Sequence, residues 1–124
     1  MRYTAAFAIG SFCYTLVEIA WRGYTHWSMT LTGGVCLALL YMWNERLASW
    51  RAPLKWLIGA LSITATELAV GCVVNLVLRQ DVWDYSDLRY NFLGQICLQF
   101  SALWYLISIP GFFLCDIIKK FVSD

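Results

Sequence analysis

Charge all but vanishes from four long stretches of this chain, and no other feature constrains its fold as strongly. Residues 3–21 hold only Glu18, 27–44 hold no charge, 56–78 hold only Glu67, and 90–115 hold none. A spanning helix needs about 20 mainly apolar residues. The pattern therefore predicts an all-α integral membrane protein, one domain over 1–124, with transmembrane helices at 3–22, 28–44, 54–78 and 91–116. Composition points to the same solvent: 60% of residues are hydrophobic and 14% charged, where a soluble domain carries about 25% charged residues. An ordinary soluble enzyme and a disordered chain are excluded, and a net charge of +1 offers no basic surface to nucleic acid. The first stretch reads as a span rather than a cleaved signal peptide, because Glu18 interrupts it and no small-x-small site ends it.

Lysine and arginine set the expected orientation. Arg2, Arg46, Arg51, Lys55, Lys119 and Lys120 fall on one side of the four spans, and Arg22, Arg79 and Arg89 on the other. The richer side is expected to be cytoplasmic, which puts both termini inside in a cell (inner) membrane. Trp and Tyr gather at the span ends, as interfacial anchors do. The five cysteines, Cys13, Cys36, Cys72, Cys97 and Cys115, lie in apolar runs without metal-ligand spacing, so they read as packing residues.

The two halves of the chain, 1–50 and 51–124, match at fixed spacing. Gly10, Thr15, Glu18 and Ala20 correspond to Gly59, Thr64, Glu67 and Ala69. Gly33, Cys36, Leu37 and Trp43 correspond to Gly94, Cys97, Leu98 and Trp104, and Asp84-Tyr85-Ser86 stands opposite His26-Trp27-Ser28. Each unit is a helical hairpin, so an even number of crossings predicts two parallel repeats about an axis along the membrane normal.

Polar residues form single helix faces. Ser11, Thr15, Glu18 and Arg22 recur at steps of four, three and four, and Thr64, Glu67, Gly71 and Asn75 at three, four and four. A carboxylate facing lipid costs at least about 2.5 kcal/mol at mid-membrane, so both faces are expected to turn inward. The expected ion-binding group is Glu18, Arg22, Glu67 and Asn75, with the two glutamates approaching each other and Arg22 neutralising one of them. Thr15, Thr64 and Gln95 are expected to support them. His26, Trp83, Asp84, Tyr85, Ser86 and Asn91 form the expected outer entrance. Neither a metal site nor a cofactor is expected, and the signatures of hydrolases, zinc proteases and phosphate loops do not occur in the sequence.

The motifs at 21–34, "WRGYTHWSMTLTGG", and 82–104, "VWDYSDLRYNFLGQICLQFSALW", resemble those of the CmpB-type family of small four-span bacterial membrane proteins, the ABC-transporter type IV permeases. The likeness covers nearly the whole chain, and the W-D-Y-S segment is its more specific part. It implies transport. The sequence thus leads to a small transporter or channel subunit, a homo-oligomer among membrane lipids, whose Glu/Arg cluster binds a cation or proton. Two readings compete with it. One is a non-transporting interaction or lipid-binding protein with a purely structural polar core, and the weaker one is an intramembrane enzyme using the glutamates as acid and base.

Overall fold

The computed structural model describes residues 1–23, 26–80 and 82–122, with the side chains of Trp21 and Arg22 outside the description. Four helices carry the fold: α1 (Arg2–Arg22), α2 (Trp27–Arg46), α3 (Ala52–Gly71) and α4 (Leu98–Phe121). Local chemistry starts two of them. The ring Nδ1 of His26 accepts the Ser28 backbone N–H at 3.2 Å and lies 2.7 Å from its hydroxyl, capping α2. Pro53 sits in the first turn of α3, where a missing N–H costs nothing.

Helices α1 and α2 pack along each other as one hairpin, α3 and α4 as another, and α2 also touches α3 and α4. Gly10 on α1 meets Gly33 on α2 so closely that a Cβ at Gly10 would stand 2.5 Å from the Gly33 carbonyl oxygen. The start of α1 and the end of α4 meet as well: Arg2 Nε donates to the Val122 carbonyl at 2.9 Å. Most of the basic residues of the richer side gather at this end. Lys55 Nζ donates to Asn44 Oδ1 at 2.7 Å, Asn44 Nδ2 donates to Asp116 at 2.8 Å, and Lys119 reaches Glu45 at 3.4 Å. Above that polar layer lies an apolar core of Ala6, Leu37, Leu40, Tyr41, Phe112, Cys115 and Ile118. A second cluster, Met29, Val74 and Val82, closes the opposite end. Pro110 lies inside α4, so its ladder lacks the bond to the carbonyl of Leu106.

Among the described residues, three helical segments are long and apolar enough to cross a membrane: Arg2–Ala20, Ala52–Val77 and Leu98–Phe121, with mean hydropathies of 1.3, 1.9 and 1.7. Helix α2, with 20 residues against the 21 of α1, falls short of these segments in hydropathy, because Ser28, Thr30, Thr32, Gly33 and Gly34 dilute it. It is also the helix with most buried residues, and a helix surrounded by others needs no lipophilic exterior. Large apolar side chains such as Phe12, Val17 and Phe113 are exposed on the outside of the bundle, as befits a multi-pass membrane protein.

Two boundaries depart from the sequence expectation. The third helix ends as a regular α-helix at Gly71 and continues over Cys72–Val77 as a π-turn, in which Leu78 N–H bonds the Val73 carbonyl. The fourth begins at Leu98, not 91. Residues Asn91–Phe92 (β1) and Ile96–Cys97 (β2) instead form a short antiparallel hairpin. Its turn is closed by Gln95 N–H on the Phe92 carbonyl, with Leu93 and Gly94 at φ 57° and 71°. That is the sign pattern of a type I′ turn, which Gly at the second position makes accessible. An apolar composition hid a turn that only this backbone geometry reveals.

Candidate functional site

Glu67 lies eleven residues beyond Trp56, about 16 Å along the helix, and between the two apolar clusters that α3 joins. It is 4% exposed. Each carboxylate oxygen takes one hydrogen bond. Trp104 Nε1 on α4 donates to Oε1 at 3.1 Å, and the Tyr85 hydroxyl on the α3–α4 loop donates to Oε2 at 3.0 Å. Phe100 stacks on Tyr85 with centroids 4.8 Å apart and planes 11° from parallel, and Phe100 and Trp104 lie 6.4 Å apart. The carboxylate is thus enclosed by three aromatic rings, two of them donors without charge. Burial and the neighbouring Glu67 charge push the Tyr85 phenol up from its ordinary range, so it stays protonated and able to donate.

The loop that delivers Tyr85 is itself pinned to the bundle. The π-turn aims Asn75 at it: Asn75 Oδ1 accepts the Val82 N–H at 2.6 Å, and Asn75 Nδ2 donates to Gln95 Oε1 at 2.8 Å. Trp83 Nε1 donates to the Gln95 carbonyl at 2.9 Å, and Tyr85 N–H to the Gly94 carbonyl at 2.7 Å. Asn91 Nδ2 bonds the Leu88 carbonyl at 2.7 Å, and Asn91 Oδ1 accepts the Gly94 N–H at 3.1 Å. Asp84 Oδ1 accepts the Ser86 N–H at 2.9 Å. The Ser86 hydroxyl, and then this N–H, hold the exposed Asp84 carboxyl below the usual carboxylate range. A depression of about 400 Å³ lies against this network, lined in part by Asn75, Asp84, Asn91 and Gln95.

The structure therefore brings Glu67, Asn75, Trp83, Asp84, Tyr85, Ser86, Asn91 and Gln95 into one linked assembly. Thr64, one turn before Glu67 on α3, pairs instead with α4, its hydroxyl 2.9 Å from that of Ser101. The polar face of α1 has a different partner. Thr15 lies 2.7 Å from Thr30 on α2, and Ser11 sits against Gly34, so the face that carries Glu18 turns to α2. The hydrogen bonds to Glu67 come from Trp104 and Tyr85, and the side chain of Arg22 lies outside the described residues. His26 belongs to the α2 cap rather than to the Glu67 assembly. At the matched positions of the two hairpins the same local bond recurs: His26 binds the N–H of Ser28, and Asp84 that of Ser86.

Trp104 and Phe100 are the site residues that the sequence expectation lacks. The signal was present for one of them. Trp104 stands well inside a charge-free stretch, away from the interfacial ends, and a buried indole N–H requires an acceptor.

A family model described as "Putative ABC-transporter type IV" matches residues 45–124, the stretch that carries α3, the α3–α4 loop and α4. No curated protein and no solved structure matches the chain. Residues 45–124 hold Glu67, Tyr85 and Trp104 together, and by this match the chain belongs to the CmpB-type, ABC-transporter type IV family.

Proposed function

We propose that this chain is the membrane subunit of a transport system, working as a homo-oligomer, in which Glu67 binds a cation or proton beneath an outer gate formed by Tyr85. One observation carries the reading: a carboxylate 4% exposed within a spanning segment has as its hydrogen-bond partners a phenol and an indole, both neutral. Ionisable groups in such positions are functional candidates by default, and a buried charge calls for a compensating one. Opening Tyr85 would join Glu67 to the polar depression outside. Glu18 and Arg22 form the matching charged step of the first hairpin in this reading.

The same proposal includes four crossings of the inner membrane, with both ends cytoplasmic. The 20 residues of α2 reach about 30 Å, the thickness of a hydrocarbon core. Its central position supports counting it as a span, and the gathering of basic residues where α1 begins and α4 ends supports the orientation. The two-hairpin packing and the recurring loop bonds of His26 and Asp84 support a parallel repeat.

The test is ion flux into vesicles reconstituted with the full chain. Glu67→Gln should abolish flux while helicity and melting are retained, and Tyr85→Phe, which loosens the gate, should change the rate. Unchanged flux in Glu67→Gln would sink the proposal. A competing structural role has its own support, since both oxygens of Glu67 are bonded; it predicts lowered melting in Glu67→Gln with any flux unaltered.

A further inference from the structure

Which ion Glu67 takes follows from the groups that touch it. A metal cation is held by oxygens that turn lone pairs toward it, about 6–8 of them for Ca²⁺ and about six for Mg²⁺. The two groups bonded to Glu67 turn hydrogen toward it instead, Trp104 Nε1–H to Oε1 and the Tyr85 hydroxyl to Oε2. An indole N–H is a donor only, with no lone pair to give a metal. Among the described residues no group of three or more His, Cys, Asp or Glu stands where it could share an ion. The donor set around the carboxylate therefore suits a metal poorly.

A proton asks for less: one lone pair, and an acceptor for the O–H that forms. The two partners of Glu67 differ in what they allow. Trp104 is fixed as a donor, whereas a tyrosine hydroxyl both donates and accepts. A proton on Oε1 would weaken that oxygen as the acceptor of the indole. A proton on Oε2 leaves Oε1 accepting from Trp104 and reverses the other bond, so that Oε2–H donates to Tyr85 Oη. Every polar atom then keeps a partner, which matters at a residue 4% exposed. The titratable neighbours are Cys36 on α2, which interacts electrostatically with Glu67, and Tyr14 on α1 and Cys97 on β2, which interact with Tyr85. Thiols and phenols are ordinarily neutral at about pH 7 and bring no positive charge. Tyr85 itself is half-buried between the exposed Asp84 and Ser86, which sets its phenol between the carboxylate and the exposed loop.

We propose that Glu67 takes a proton rather than a metal cation, on Oε2, and that the Tyr85 hydroxyl relays it. The proposal rests on the reading of Glu67 as the ion-binding group and names the ion. In the relay Tyr85 Oη takes a proton from hydronium of the bathing solution, which leaves as water. The original Tyr85 O–H bond breaks, and its proton forms the new O–H on Oε2. Tyr85 ends neutral, and the carboxylate has become a carboxylic acid. The ring keeps its stack on Phe100 throughout, whereas a metal ion would have to displace it.

Infrared difference spectroscopy of the full chain in phosphatidylcholine vesicles tests this through the C=O stretch of a protonated carboxyl. On acidification one such band should belong to Glu67, vanish in Glu67→Gln and shift in Tyr85→Phe, whose ring cannot accept the O–H. Glu67→Asp, which moves the band, identifies it if Glu67→Gln does not fold. Replacing choline chloride by sodium, potassium or magnesium chloride at equal ionic strength should leave the band unchanged. After a light-triggered pH jump the band should grow at least about tenfold more slowly in Tyr85→Phe, since a positioned proton-transfer group commonly contributes about 10²–10⁴-fold. Suppression of the band by any of the metal ions at fixed pH would overturn the proposal, as would a shift in Trp104→Phe with none in Tyr85→Phe. Slowing of less than about tenfold would overturn the relay. Reversible protonation of Glu67 without flux would sink the transport reading and leave this assignment standing. Sodium or rubidium flux abolished by Glu67→Gln would do the reverse.

Discussion

Replacing Tyr85 with phenylalanine removes one oxygen from the enclosure and little else. The ring keeps its stack on Phe100 at 4.8 Å, whereas the 3.0 Å bond to Glu67 Oε2 is lost. Because Glu67 is 4% exposed, water is poorly placed to replace the hydroxyl, and a buried acceptor left without a donor costs about 1–3 kcal/mol. The expected destabilisation is therefore about 1–3 kcal/mol, most of it absent when Glu67 is already Met, whose unbranched side chain fills similar space without an acceptor of comparable strength. A double-mutant cycle by reversible unfolding in micelles measures the difference. Coupling of about 1–3 kcal/mol between Tyr85→Phe and Glu67→Met is the expected result. Equal costs in the two backgrounds, within about 0.5 kcal/mol, would refute the account of Tyr85 as the outer donor to Glu67.

Other changes probe the scaffold. Asn75→Ala strips the acceptor from the Val82 N–H and the donor from Gln95, so it should cost about 2–4 kcal/mol and speed amide exchange across 82–97 before the helices open. Asp84 has its carboxyl held low by Ser86, so the turn gains stability above the carboxyl's unfolded value, about 3.9. That gain is lost as pH falls through the folded value. The protection factor of the Ser86 amide, its exchange relative to an unstructured amide at the same pH, should therefore fall below about pH 4, and this fall should disappear in Asp84→Asn. Lys120→Cys in a cysteine-free background should react with an impermeant maleimide in inside-out vesicles and not in right-side-out ones; the reverse pattern would place the chain ends outside.

How much of this was legible in the residues depends on how local each signal was. Four helices follow from the near-absence of charge in four stretches, and the inward face of α3 follows from the spacing of Thr64, Glu67 and Asn75. The limits of the fourth helix do not follow. Residues 91–97 are apolar enough to pass for a span, and the turn at Leu93 and Gly94 depends on two positive φ angles that composition does not encode. Tyr85 was legible as a residue of the loop between the third and fourth helices, but its reach to Glu67 depends on that loop folding over Asn75 and Gln95. Pairings between residues far apart in sequence, Glu67 with Trp104 or Asn44 with Asp116, are tertiary facts without a local pattern.

Pro110 gives helix α4 the character of a jointed rod. Its C-terminal arm is bolted to α2 through Asn44–Asp116 and Glu45–Lys119, while its N-terminal arm carries Phe100 and Trp104 to the carboxylate. The joint lacks one backbone tie at the carbonyl of Leu106. A force applied through Tyr85 and its stacked neighbour Phe100 would therefore meet its weakest backbone link between the arm that carries Trp104 and the arm tied to α2.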